Sequence, residues 1–166
     1  MKKIIIAAAL LMGFAFAAAA QPRAIGARFG FSTEASYQHT VGGENFIEVN
    51  LGTFGYAGLQ ASASYNFMIV QPNWTSRGEW GVYAGPGLAL GTGFSRYYMM
   101  NLDIMAQVGL EYTFWFPLQL SVDLRPQIGF GVADANYGYL QKDVKAFYNL
   151  TGLYGFIPTL SVRYRF

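Results

Sequence analysis

"LSVRYRF", Leu160–Phe166, is the stretch whose reading decides the fold. Leu160, Val162, Tyr164 and Phe166 share one parity, and Ser161, Arg163 and Arg165 take the other. Side chains alternate across a strand, so the segment predicts a last strand with one apolar and one polar face. Which face meets which solvent is the question for the whole chain.

The same period recurs upstream. In "NLDIMAQVGLEYTF", Leu102, Ile104, Ala106, Val108, Leu110 and Tyr112 oppose Asp103, Gln107, Gly109, Glu111 and Thr113. In "LQLSVDLRPQIGF", Leu118, Leu120, Val122, Leu124 and Ile128 oppose Gln119, Ser121, Asp123, Arg125 and Gln127. "GLQASASYNFMI" sets Leu59, Ala61, Tyr65 and Phe67 against Gln60, Ser62, Ser64 and Asn66. "WGVYAGPGLALG" sets Trp80, Val82, Leu88 and Leu90 against a row of glycines, and "NFIEVNLG" and "AIGARFGF" place Glu48, Asn50 and Arg28 on the polar side. Repeated period-two segments of this length are the signature of a spanning barrel.

The N-terminal stretch "MKKIIIAAALLMGFAFAAAAQ" reads as a cleaved secretory signal peptide over residues 1–20, which leaves residues 21–166 as one domain. Losing Lys2 and Lys3 with it leaves nine basic and nine acidic residues, so the basic balance belongs to the signal peptide. No basic run survives, which argues against nucleic-acid binding. Cysteine is absent, excluding disulfides and thiolate metal sites. Charged residues are 12% of the chain, about half the ~25% usual for soluble domains, yet no later apolar stretch is long enough for a spanning helix. A greasy, exported chain without such helices is expected to be a closed membrane barrel. A soluble β-sandwich also alternates, but its water-facing side would fill with Lys, Glu and Thr. Here the polar face carries Gly, Ser and Gln with Arg28, Arg125, Arg163 and Arg165 set against Glu34, Glu48, Asp103, Glu111 and Asp123. That composition suits a narrow lumen in which ions pair. Arg125, with Asp123 on its own face, is expected to neighbour Glu111 across the tight 115–117 hairpin, and Arg163 to approach from the closing strand.

On "WGVYAGPGLALG", the hairpin "GLEYTFWFPLQLSVDLRP" and the closing "LSVRYRF", the chain resembles the small OmpX/OmpA-type outer-membrane barrels. The resemblance implies an all-β fold, an eight-stranded antiparallel transmembrane up-and-down barrel in the bacterial outer membrane, with both termini in the periplasm. It also implies that Phe166 is read as an assembly signal, and that the partners are outer-membrane lipids, the assembly machinery and periplasmic chaperones. Six strands are expected at 44–54, 58–70, 79–91, 100–114, 118–131 and 154–166. Residues 23–31 and 33–40, with a bend near Ser32, supply the two more that an even count requires. The connections 41–43, 71–78 and 115–117 are then periplasmic, and Trp74, Trp80 and Trp115 form an aromatic girdle on that edge. Tyr56, Phe94, Tyr97, Tyr98, Phe130 and Tyr154 form the opposite one. Pro86, Pro126 and Pro158 fall inside predicted strands, where each deletes a ladder bond, and are expected to mark bulges near the outer rim.

No catalytic, cofactor or metal site is expected. "GPGLALG" lacks the phosphate-loop spacing. "NWT" at Asn73 and "NLT" at Asn149 match a glycosylation sequon by chance. His39 is the only histidine and lacks the serine two residues on that lipase-type barrels use; Val41 stands there. Residues 133–152 form the longest connection, expected to be extracellular, either a solvated loop or a short helix through Tyr137, Leu140, Val144, Phe147 and Tyr148. The expected function is a non-catalytic envelope-structural or surface-contact role through that loop. A barrel carrying small or apolar molecules, or a lipid A-modifying enzyme using His39, are the alternatives. The extracellular partner is not legible.

Overall fold

The computed structural model describes residues 22–54, 58–93, 98–134 and 144–166. The expected signal peptide, Tyr56, Phe94 and Tyr97 of the expected girdle, the side chain of Tyr98, and residues 135–143 of the expected loop lie outside the described residues.

Among the described residues the strands are β1 Pro22–Phe29, β2 Ser32–Gly42, β3 Asn45–Phe54, β4 Gly58–Val70, β5 Glu79–Gly93, β6 Tyr98–Thr113, β7 Gln119–Leu124, β8 Gln127–Asp134, β9 Val144–Asn149 and β10 Thr159–Arg165. A 3-10 helix, Thr151–Phe156, joins β9 to β10. Every neighbouring pair is antiparallel. Strands β1 to β6 pair in chain order, β6 pairs β7, β7 pairs β10, and β10 returns to β1. That ring of eight strands is a closed barrel, which leaves none of its members with an open edge.

The pleat sorts the sequence as its alternation requires. Ile104 is 63% exposed while Asp103 beside it is fully buried. Polar residues point inward and apolar ones outward on β4, β7 and β10 alike. The predicted pair of short strands forms, with its bend at Gly30–Phe31. The β2–β3 turn holds Gly43 at a φ of 57°, a left-handed conformation that glycine adopts without a Cβ penalty. This turn, the 71–78 connection and the 114–118 connection share one end of the barrel with the first and last described residues, Pro22 and Phe166, where the Phe166 N–H donates to the Arg23 carbonyl at 3.2 Å. We call this the terminal end, and its opposite the loop end.

Three expectations are corrected in the last third of the chain. The strand expected over 118–131 divides at Arg125–Pro126 into β7 and β8, because proline has no N–H for the ladder. β6 accordingly pairs β7 along its terminal half and β8 along its loop half. Within the expected loop, residues 144–149 form β9, paired with β8, and not a helix. The strand expected over 154–166 begins only at Thr159, after the 3-10 helix and Pro158. Pro86, by contrast, interrupts the β4–β5 pairing without shifting its register.

Between Asp123↔Thr159, the last β7–β10 pair, and Gly129↔Asn149, the first β8–β9 pair, the wall has no ladder. The 3-10 helix fills this seam. It bonds its own backbone, Leu153 N–H to Leu150 and Ile157 N–H to Tyr154, and Gly155 accepts from the Arg125 N–H at 2.7 Å. Positions three apart eclipse in such a helix, so Gly152 and Gly155 make one bare face. A Cβ on Gly152 would strike the Gln127 carbonyl, and one on Gly155 the Arg125 carbonyl. Leu153, Tyr154 and Phe156 occupy the outward side. We expect Gly155→Val to push the helix off the wall and cost about 1–3 kcal/mol. Leu153→Ala on the outward side should cost less, and equilibrium unfolding in denaturant compares the two.

Candidate functional site in the barrel lumen

Glu48 on β3 stands at the centre of the lumen, fully buried. Its Oε1 accepts from Arg28 Nη1 at 2.7 Å and Arg163 Nη2 at 3.0 Å, and its Oε2 from Gln38 Nε2 at 2.9 Å. Arg28 on β1 also donates through Nη2 to Asp123 at 2.5 Å and lies 3.6 Å from Glu34. Arg163 on β10 donates further to Ser121 at 2.7 Å and to Ser36 at 2.9 Å. Arg125 reaches across the lumen from the seam, to Glu34 on β2 at 2.5 Å and Ser62 on β4 at 2.9 Å. Three guanidinium groups thus meet the three carboxylates Glu34, Glu48 and Asp123. Arginine suits this duty because its planar fork donates to several acceptors at once.

Toward the terminal end a second layer closes the lumen. Arg23 pairs with Glu111, which also accepts from Gln119 Nε2 at 3.0 Å. The Arg23 guanidinium lies 4.1 Å from the centre of the Phe46 ring, which meets Tyr83 edge-on at 5.1 Å. Tyr83 in turn donates to Asp123 at 3.3 Å, and its ring occupies the space where a side chain on Gly109 would stand. An interior glycine, Gly109, thus makes room for a tyrosine ring.

The expected network residues Arg28, Glu34, Glu48, Asp103, Glu111, Asp123, Arg125 and Arg163 all face inward and are buried. Arg165 lies apart at the terminal rim, 2.8 Å from Thr113 and 3.7 Å from Glu79. Asp103 is also apart, near the loop end. One expected pairing is corrected: Arg125 does not meet Glu111 across the β6–β7 hairpin. Glu111 stands opposite Ser121, four residues nearer the terminal end than Arg125, and Arg23 takes it instead. Sequence reasoning missed Arg23 because a bulge between Pro22 and Ala24 turns it inward against the parity of Arg28. It missed Tyr83 although that residue stands in the inward glycine row of β5, which was the available signal.

On the outer surface, Trp74, Trp80, Tyr112, Phe114, Trp115 and Phe116 form a chain of ring contacts with centroids 4.6–5.9 Å apart at the terminal end. Phe166 follows on the same rim, 5.4 Å from Tyr164. His39 is on the outward side of β2, where its Nδ1 meets the Tyr37 hydroxyl at 3.1 Å. Asn149 of the "NLT" triplet is buried in the lumen. Over the seam the wall carries an open apolar groove of about 720 Å³, lined by Pro86, Leu88, Ile104, Pro126, Leu153 and Phe156 among others.

What the central cluster does chemically is shut the lumen, since Arg28, Arg163 and Glu48 leave no solvent-reaching surface at its middle. Removing one partner of a buried ion pair costs about 3–5 kcal/mol, because the other charges stay buried without compensation. Glu48→Gln should therefore destabilise by about that amount. Arg165→Leu at the half-exposed rim should cost less than about 1 kcal/mol, as exposed pairs do. Parallel unfolding titrations of the two variants make the comparison. Compared with known proteins, the chain matches no family model, no curated protein and no solved structure.

Proposed function

We propose that this chain is a non-catalytic integral barrel of the bacterial outer membrane, of the OmpX/OmpA type, exported on a signal peptide that is then removed. Its role in this reading is envelope-structural or surface contact, carried by the connection within 133–152. The observation that carries the reading is the inverted distribution of polarity. A water-soluble barrel keeps its apolar side chains inside, whereas here Leu51, Ile69, Leu88, Ile104 and Phe130 point outward and arginines point inward. Hydrocarbon is the solvent that favours such a wall, and a closed ring satisfies the backbone within it. The aromatic belt at the terminal end fits a membrane–water interface. A lumen shut by ion pairs fits a structural barrel better than an open pore.

Ile104→Arg tests the environment of the wall directly. In lipid vesicles an arginine near the bilayer midplane costs about 2–4 kcal/mol, so folding there should weaken by that amount. If the surroundings were water, the same change on a 63% exposed site would leave stability nearly unaltered and improve solubility. The latter result would overturn the reading.

A second reading, a barrel that takes up small apolar molecules, is favoured by one observation, the groove over the seam. Its position places apolar space beside the seam, where the wall lacks a ladder. Filling it with Ala106→Trp should abolish uptake of naphthalene into vesicles containing the protein. Unchanged uptake, or none in the parent protein, would leave the structural reading alone.

A further inference from the structure

Eight of the inward charges are matched among themselves, four arginines to four carboxylates: Arg23 with Glu111, and Arg28, Arg125 and Arg163 with Glu34, Glu48 and Asp123. Among the described residues Asp103 is the inward carboxylate left over. It is fully buried and has no cationic partner among the described residues. What it has are amides. Asn149 Nδ2 donates to both its oxygens at 3.0 Å, and Asn101 Nδ2 donates to Oδ2.

The surroundings are built and not incidental. Asn149 Oδ1 accepts from Thr151, through the backbone N–H at 3.3 Å and through Oγ1, which turns its NH2 group toward Asp103. Asp103 lies over Gly129, where a Cβ would strike its Oδ1. One inward step along β8 from Gly129 stands Gln127, 1% exposed, with neither its Nε2 nor its Oε1 partnered. A buried amide without a partner costs free energy, and an uncompensated buried carboxylate costs more. Both costs fall on one patch of wall, shared by β6 and β8 and within a few residues of the loop end.

We propose that Asp103 and Gln127, with Asn101 and Asn149 holding the carboxylate in place, form a binding site for a small monovalent cation, an alkali ion or a primary ammonium group. Charge sets the valence: among the described residues one inward carboxylate has no cationic partner, and no group of three acidic, histidine or cysteine residues occurs there, so the carboxylate set of a divalent site is not found among them. Carbonyl-type oxygens replace the hydration shell of alkali ions, and an ammonium group brings three donors for which Asp103 and Gln127 Oε1 offer acceptors. The site is nearer the loop end than the arginine–carboxylate cluster, so a cation entering there need not pass Arg125 or Glu48. It is distinct from the envelope role proposed above and does not depend on it.

Thermal unfolding of the full chain in detergent micelles provides the test, with sodium, potassium, methylammonium and tetramethylammonium chlorides at equal ionic strength. Tetramethylammonium is bulky and has no N–H to donate. Near saturation a bound cation should raise the melting temperature by about 2–4 °C over the tetramethylammonium control. A response to sodium or potassium alone assigns an alkali-ion site, and one to methylammonium alone assigns ammonium recognition. Asp103→Asn keeps the shape and should abolish the difference between salts, whereas Glu79→Gln at the exposed rim should preserve it. Gln127→Leu leaves the charge and should raise the half-saturating concentration about tenfold, which keeps the test open if Asp103→Asn fails to fold. Equal response to all four salts in the parent protein, or an unchanged response in Asp103→Asn, would overturn the proposal.

Discussion

Glu48 sharing one carboxylate oxygen between Arg28 and Arg163 is the interaction on which the rest of this barrel depends. The arginines come from the first and last strands of the ring and the glutamate from the third, so this contact ties closure of the barrel to filling of its lumen. A backbone ladder alone would close the sheet around an empty bore. Salt bridges of this kind contribute little net stability compared with an apolar core of the same volume. Their consequence here is specific: each charge has its partners only when β1, β3, β7 and β10 stand in one register. A one-residue slip would turn every one of these groups to the outer face.

The second organising constraint is the seam in the last third of the chain. Once Pro126 removes a donor, β7 and β8 separate and the final strand loses its neighbour over the same span. Backbone groups stranded there would go unsatisfied, and the 3-10 helix meets that need with bonds of its own. Its fit depends on two glycines spaced for the 3-10 period and not the α period. The same irregularity creates the outer groove and brings Asn149 to Asp103, so these two features descend from one break in the ladder.

Much of this was legible in the sequence, and the reasons are physical. Alternation is a local signal, so the inward and outward faces of β4, β5 and β6 could be read directly from residues such as Ser62, Gly87 and Asp103. The two short strands before Gly42 followed from the even count that a closed ring with both termini at one end requires. Partner choice was not legible, because it depends on register summed around the ring. Arg125 reaches Glu34 and Ser62 on distant strands, whereas its sequence neighbours pointed to Glu111. Arg23 was hidden by a bulge that reverses parity. β9 was hidden because Val144, Phe147 and Tyr148 satisfy a helical period as well as a strand, and only pairing with β8 decides between them.

The central claim is that the ion-paired cluster around Glu48 closes the lumen. Electrical conductance of the protein in a planar lipid bilayer tests it most directly. A side-chain-filled bore with no solvent-reaching surface at its middle should pass no steady current beyond that of the bare membrane. A stable, ohmic conductance from the unaltered protein would mean that water and ions pass the Arg28–Glu48–Arg163 layer, and would contradict the account.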